Sequence, residues 1–203
     1  GSTDGLGIAE RYMIAMLDVP VAAKRLSCME FKSQFKQRYA DIVKMISDVE
    51  TACDDVKMSA GLKMVLKAIL KVGNQMNDGK SQGFRMDTLL KLPTAKAFDK
   101  KTTILQYVIM VLGRNDTSAL NFPEQLKGVK GAARVTMESI GSEISSLEKD
   151  LKQSLQALEV VSLEKAEGGM DGGKELVDAG RKIESLQLRR STLHTKYSGV
   201  ITY

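Results

Sequence analysis

The 203-residue chain has no tryptophan, only three prolines, two cysteines and one histidine, and aromatic side chains make up just 5% of it. Each shortage excludes something. The two cysteines, Cys28 and Cys53, have neither the number nor the spacing of a disulfide framework or a zinc site, so the sequence fits a reducing compartment. The single histidine, His194, sits beside a heptad position with no cysteine or carboxylate cluster near it in sequence, so no catalytic or metal constellation is expected. No apolar run approaches the roughly 20 residues of a membrane-spanning helix, and no signal peptide is visible. A soluble protein with no membrane span is the expectation. Scarce proline and absent tryptophan, beside abundant alanine, leucine, lysine, glutamate and methionine, predict an all-α fold without strands.

What is present is positive charge. A formal net charge of +5 suits an acidic partner, and nucleic acid, an anionic membrane surface or an acidic protein would each qualify. Gly1-Ser2 reads as a cloning scar, leaving one domain or part of an extended one.

Hydrophobic spacing divides the chain into helices. A short helix is expected from Ala9 to Leu17, stopping near Pro20. From Phe35 the series Phe35, Tyr39, Ile42, Ile46, Val49, Cys53, Val56 alternates steps of four and three, a heptad seam. Ser59 to Asn77 is richer in apolar residues, with Lys63, Lys67 and Lys71 as a narrow basic stripe, and most of this helix should be buried in a compact lobe. A short helix near Asp87 to Leu92 ends at Pro93. Asp99 is expected to cap a helix running to about Leu112, where Gly113-Arg-Asn-Asp supplies a stop. Pro123 suits the first turn of a long helix with the seam Leu126, Val129, Ala133, Ile140, Ile144, Leu147, Leu151, Leu155 and Leu158. Glu167-Gly-Gly-Met-Asp-Gly-Gly-Lys174 reads as a flexible turn. The last helix repeats the pattern through Leu176, Ala179, Ile183, Leu186, Arg190, Leu193, Tyr197 and Val200, with Arg190 the charged intruder. Three heptad helices predict an elongated antiparallel three-helix coiled-coil bundle.

No active site emerges. Gly79-Lys80-Ser81 lacks the upstream glycine of a phosphate loop and follows a helix instead of a strand. The methionines read as adaptable core filler. The stretch Val72-Gly-Asn-Gln-Met-Asn77 carries a signal, because glycine inside a helix costs about 1 kcal/mol relative to alanine. Asn74 and Asn77 share a helical face beside Gly73, which leaves room for another backbone to approach the two amides. That backbone is either a partner's or an internal loop's. Lys100 and Lys101, read in the first turn of a helix, would oppose the helix dipole, and a charge in an unfavourable place is a candidate for binding. Lys80, Arg85, Lys91 and Lys96 thicken the cluster.

These residues also match a known family. Gly73-Asn-Gln-Met-Asn77 resembles the Gly-Asn-x-Met-Asn signature of the formin homology 2 domain, the actin-nucleating and barbed-end-tracking module of formins. Gly83-Phe84-Arg85, Leu89-Leu-Lys-Leu92 and Asp99-Lys-Lys-Thr-Thr-Ile-Leu105 continue the likeness. So do Glu10-Arg-Tyr-Met, Val19-Pro20 to Phe31-Lys32, and the closing Tyr197-Ser-Gly-Val-Ile-Thr-Tyr203. Gln75 stands where an aromatic is frequent, Gln106 replaces a frequent histidine, and the loop 78–82 is shorter than in many members.

The resemblance implies an actin-binding set, Lys96, Lys100 and Lys101, and a post that docks the lasso of a second subunit through Gly73, Asn74, Met76, Asn77, Gly83 and Phe84. It implies residues 3–203 as a partial domain comprising the end of the knob, the coiled-coil region and the post, with lasso, linker and start of the knob absent. Its partners would be actin, a second copy through the lasso, and profilin-actin through a neighbouring proline-rich region outside the chain. No enzymatic activity, cofactor or nucleic-acid partner is implied, and the setting would be the cytoplasmic cytoskeleton. Without its lasso the chain is expected to be mainly monomeric and inactive in nucleation. The rival readings are a helical coiled-coil scaffold that binds other proteins without actin, and a nucleic-acid binder, against which the shortage of aromatics in the basic segment counts.

Overall fold

The computed structural model describes residues 5–19, 21–77, 79–115, 117–163 and 172–201. Among them the fold is all-α: α1 (Ile8–Leu17), α2 (Ala22–Met58), α3 (Ala60–Met76), α4 (Ile104–Asn115), α5 (Lys127–Ala132), α6 (Met137–Leu163) and α7 (Gly172–Ile201), with 3₁₀ segments at Met86–Lys91 and Thr117–Gln125. No strand occurs among the described residues, which hold one isolated antiparallel bridge between Lys96 and Thr103. The chain divides into two compact units, Gly1–Met45 with Thr136–Ser191, and Ile46–Val135 with Thr192–Tyr203.

The first unit is a three-helix bundle built on the heptad seams. Phe31 and Ile42 of α2, Ile140, Ile144, Leu147 and Leu151 of α6, and Leu176, Ala179, Ile183 and Leu186 of α7 are buried. Polar ties fix the helix directions. Cys28 Sγ donates to the Ser154 carbonyl at 3.3 Å, and Arg38 pairs with Asp150 at 2.6 Å, so α2 and α6 run antiparallel. Lys32 pairs with Glu175 at 2.7 Å, and Gln187 donates to Glu148 at 3.1 Å. The charged intruder has a place: Arg190 Nε donates to the Met137 carbonyl, and a Cβ on Gly141 would lie 2.8 Å from its guanidinium. Glycine at 141 lets the arginine cross the seam.

Several expectations are corrected here. The long helix begins at Met137, not Pro123. Pro123 lies inside the 3₁₀ segment, and Thr136 and Ser139 exchange main-chain N–H and hydroxyl bonds at 3.0 Å in both directions, a reciprocal cap that starts α6 afresh. The seam of α6 passes through Ser154 and Ala157, while Leu155 is exposed. α7 opens at Gly172, so the last part of the glycine-rich stretch is helical. Residues 164–171, which include the first five of that stretch, Pro20, Asp78, Asp116 and the last two residues of the closing motif lie outside the described residues. The first helix matches its expectation within a residue, yet none of its side chains is buried.

The second unit gathers short elements around one apolar cluster: Ile69 and Val72 of α3, Leu92, Val108 and Leu112 of α4, and Ala119. Close backbone approach holds it. A Cβ on Gly61 would stand 2.8 Å from Phe122 Cβ and 3.3 Å from the Ala119 carbonyl. Gly128 donates to Asp55 at 2.8 Å, and its missing Cβ would meet Thr51 at 2.8 Å. Ser59 caps α3 by accepting from the Leu62 N–H and donates to Gln125 at 2.7 Å. α3 is less buried than its apolar content suggests, with only Gly61, Ile69 and Val72 enclosed, because its lysine stripe keeps one face open. In the same unit Tyr197 is enclosed, donates to Asp54, and lies 4.7 Å from both the Lys57 and Lys196 ammonium groups.

Candidate binding site of the second unit

Lys96, Lys100 and Lys101 come together on a hairpin between the Met86–Lys91 segment and α4. Ala97 donates to the Thr102 carbonyl at 2.9 Å, and Lys100 to the Ala97 carbonyl at 3.0 Å. Asp99 staples the tip: Oδ1 accepts from the Lys101 and Thr102 N–H groups at 3.0 and 2.9 Å, and Oδ2 from the Thr102 hydroxyl at 2.8 Å. These bonds, the Thr102 hydroxyl first, hold the Asp99 carboxyl below its ordinary value, because each stabilises the ionised form. All three lysines are exposed, as is Phe98. Lys96 Nζ reaches back to the Lys101 carbonyl at 3.3 Å.

Asp99 does not cap α4. The helix starts at Ile104, capped by Thr103, whose N–H donates to Gln106 Oε1 at 2.8 Å while its hydroxyl accepts from the Gln106 N–H at 3.2 Å. The signal Thr103-Ile-Leu-Gln106 was present as a capping box. Lys100 and Lys101 therefore precede the helix, and the dipole penalty expected of them is absent. Strain takes another form: Lys100 has φ +55°, a left-handed conformation that costs a residue with a Cβ about 1–2 kcal/mol. The helix also runs three residues beyond Leu112, through Gly113 to Asn115.

The second set surrounds the end of α3. Asn74 clasps the following loop: its Nδ2 donates to the Ser81 carbonyl at 2.8 Å, and its Oδ1 accepts from the Ser81 N–H at 3.0 Å. Of the two backbones that spacing left open for Asn74, the internal loop is the one it holds here. Asn77 is the C-terminal cap of α3 and its side chain is exposed. Met76 and Phe84 pack against the apolar cluster from its margin. Gly73 and Gly83 differ from the glycines of the lobe interior, for a Cβ on either meets nothing within 4 Å. Packing among the described residues does not demand glycine at those positions.

Burial pushes the Cys28 and Cys53 thiols up, away from the thiolate that a nucleophile requires. His194 is exposed on α7. Among the described residues no group of three potential ligands could hold a metal ion, and no helix is long and apolar enough to cross a membrane.

A family profile described as Formin Homology 2 Domain matches residues 1–203. Formin-like protein 5 of Oryza sativa subsp. japonica is 29% identical over 217 residues, spanning 100% of this chain and 13% of its own length. Formin-like protein 20 of Arabidopsis thaliana is 31% identical over 162 residues, 78% of this chain and 10% of its own length. Formin-like protein 4 of Oryza sativa subsp. japonica reaches 39% over 120 residues, 57% of this chain and 14% of its own length. The chain thus spans 10 to 14% of the length of these relatives.

Proposed function

The chain belongs to the formin homology 2 domain family, and from that premise we propose that it is an actin-binding module, one that nucleates filaments and tracks barbed ends when complete and dimeric. The profile match over residues 1–203 carries the reading. Residues 3–203 would be the end of the knob, the coiled-coil region and the post, completed by a lasso and linker in the longer protein. Exposed Lys96, Lys100 and Lys101 on a stapled hairpin suit an acidic protein surface, where complementary charge speeds encounter and fixes orientation. The activity is binding, without catalysis, in the cytoplasm at the cytoskeleton. Profilin-actin would arrive through a proline-rich neighbour.

The dock for a second copy's lasso lies at the end of α3. Asn77 is free to face it, the open space beside Gly73 and Gly83 admits a backbone, Asn74 holds the rim through Ser81, and Met76 and Phe84 support it from the core. The 203-residue chain alone is then mainly monomeric and does not seed filaments.

Lys101→Ala tests the actin face in a chain carrying the lasso. Its exposed side chain forms none of the hairpin's bonds, which use its N–H and carbonyl. Melting temperature should stay put while nucleation and barbed-end affinity fall strongly, and wild-type binding should weaken as salt rises. Unchanged assembly by the variant removes Lys101 from the site. A dimeric wild type that neither binds nor assembles actin sinks the reading and favours a scaffold.

A further inference from the structure

Phe98 stands on the hairpin that carries Lys96, Lys100 and Lys101, and it is 58% exposed. The Lys100 N–H donates to the Ala97 carbonyl, so Ala97 to Lys100 form a tight turn with Phe98 and Asp99 at its two central positions. Asp99 serves the turn, with its carboxylate bonded to Lys101 and Thr102. Phe98 does not. Central turn positions favour residues that bend or bond the backbone, such as proline, glycine, asparagine and serine, and among the described residues Phe98 lies outside the apolar cluster of the lobe. Lys100 repeats the mismatch, because its φ of +55° would suit glycine or asparagine with less strain. The turn accounts for neither the ring nor the charge beside it.

The two kinds of side chain do different work at a protein interface. Lysine is depleted from the buried centre and acts from the rim, where charge steers encounter, whereas aromatic side chains are enriched at the centre, where a few residues supply most of the affinity. Order before binding adds to this, because an anchor already held in place loses less freedom when it docks. The bonds from Ala97 to Thr102, and from Lys101 and Thr102 to Asp99, fix the backbone on both sides of Phe98. Residues 98 to 101 are all exposed, so the tip fits a hollow in a partner surface.

We infer that Phe98 is the apolar anchor of the actin contact, seated in an apolar hollow whose rim carries carboxylates facing Lys96, Lys100 and Lys101. The inference rests on the actin-binding reading above and divides the labour within that surface: the lysines bring the two proteins together, and the ring holds them.

The test uses the longer protein that carries the lasso, and reads its association with and dissociation from actin filament barbed ends at about 0.05 M and about 0.15 M salt, a range over which screening of exposed charges grows. Phe98→Ala should shorten residence at least about tenfold. Its association rate should stay within about twofold of wild type and keep its fall with salt. Lys101→Ala should act on the other arm, slowing association and flattening its salt dependence. Phe98→Leu should recover most of the residence that alanine loses, because the hollow accepts another large apolar side chain. Residence of the alanine variant within about twofold of wild type, while Lys101→Ala still weakens binding, overturns the inference and leaves the actin face standing. Faster exchange of the Lys101 and Thr102 amides in the alanine variant also overturns it, since the ring would then be holding the hairpin together. A wild type that does not bind barbed ends overturns the actin reading and the inference with it. Phosphatidylserine vesicles test the other class of acidic surface: a ring needed for vesicle binding and dispensable for actin belongs to a membrane contact, and the inference fails.

Discussion

The two units of the chain solve the same problem in different ways. In the bundle, α2, α6 and α7 each bury one apolar seam, and the side chains at its centre, Ile140, Leu147 and Leu186, are fully enclosed. The same contact is repeated turn after turn. The lobe has a smaller cluster made by short elements, and its geometry depends on particular ties: Ser59 to Gln125, Asp55 to Gly128, Asn74 to Ser81, and Asp99 to the tip of its hairpin. Regular packing suits a support, whereas individually tied loops can hold exposed groups where regular helices would not put them. The candidate binding residues belong to the lobe for that reason.

The largest effect expected is in the bundle. Leu147→Ala empties a completely enclosed position and should cost about 2–5 kcal/mol in a denaturant titration. A loss below about 1 kcal/mol would mean that the seam relaxes around the gap, and the bundle would be less closely packed than its burial suggests. Gly61→Val sharpens the contrast from the other side. Its added atoms would press on Phe122 and the Ala119 carbonyl, and backbone cannot step aside as a flexible side chain can. The cost should be about 1–3 kcal/mol, appearing as faster amide exchange in the lobe while the first unit stays protected. Uniform acceleration across both units would show that they unfold together.

The same division governs what the sequence made legible. Heptad spacing foretold the bundle because the side chains of a buried seam recur at a fixed interval, and Ile42, Ile144, Ile183 and Leu186 lie where the pattern put them. It failed where polar groups or glycine replaced the interval. Apolar spacing passed straight through the gap before Met137, where a Thr136–Ser139 cap begins a new helix, and it preferred Leu155 to the enclosed Ser154. In the lobe, Asp99 as a cap was a local reading of a residue that folds back on its own turn, with the real cap four residues later at Thr103. Lys96, Lys100 and Lys101 do share one hairpin, whereas the opposition to a helix dipole that their sequence positions suggested is not there, because the helix starts only at Ile104.

Asn74→Ala separates a loop tie from the core beneath it. Both polar atoms of the amide bond to Ser81, so about 1 kcal/mol of stability should be lost. The Ser81 amide should exchange faster, with circular dichroism nearly unchanged. If the variant instead loses helical signal broadly, the loop is part of what holds α3 to its neighbours, and the lobe is more cooperative than its separate ties imply. If the 203-residue chain changes neither stability nor exchange, the clasp contributes nothing in solution.

The smallest effect expected is at Ser154, the one buried polar side chain of α6 among the described residues. Its hydroxyl donates at 2.9 Å to the Asp150 carbonyl one turn back on its own helix, and its carbonyl accepts from Cys28. Alanine keeps the carbonyl and removes only the hydroxyl. The lost local bond and the better helix propensity of alanine are each worth about 0.5 kcal/mol or slightly more, with opposite sign, so Ser154→Ala should shift stability by less than about 0.5 kcal/mol. A loss above about 1.5 kcal/mol would exceed what a bond within one helix supplies. The bundle would then depend on a specific polar tie just as the lobe does, and the contrast between a repeated seam and individual ties would fail at its most regular helix.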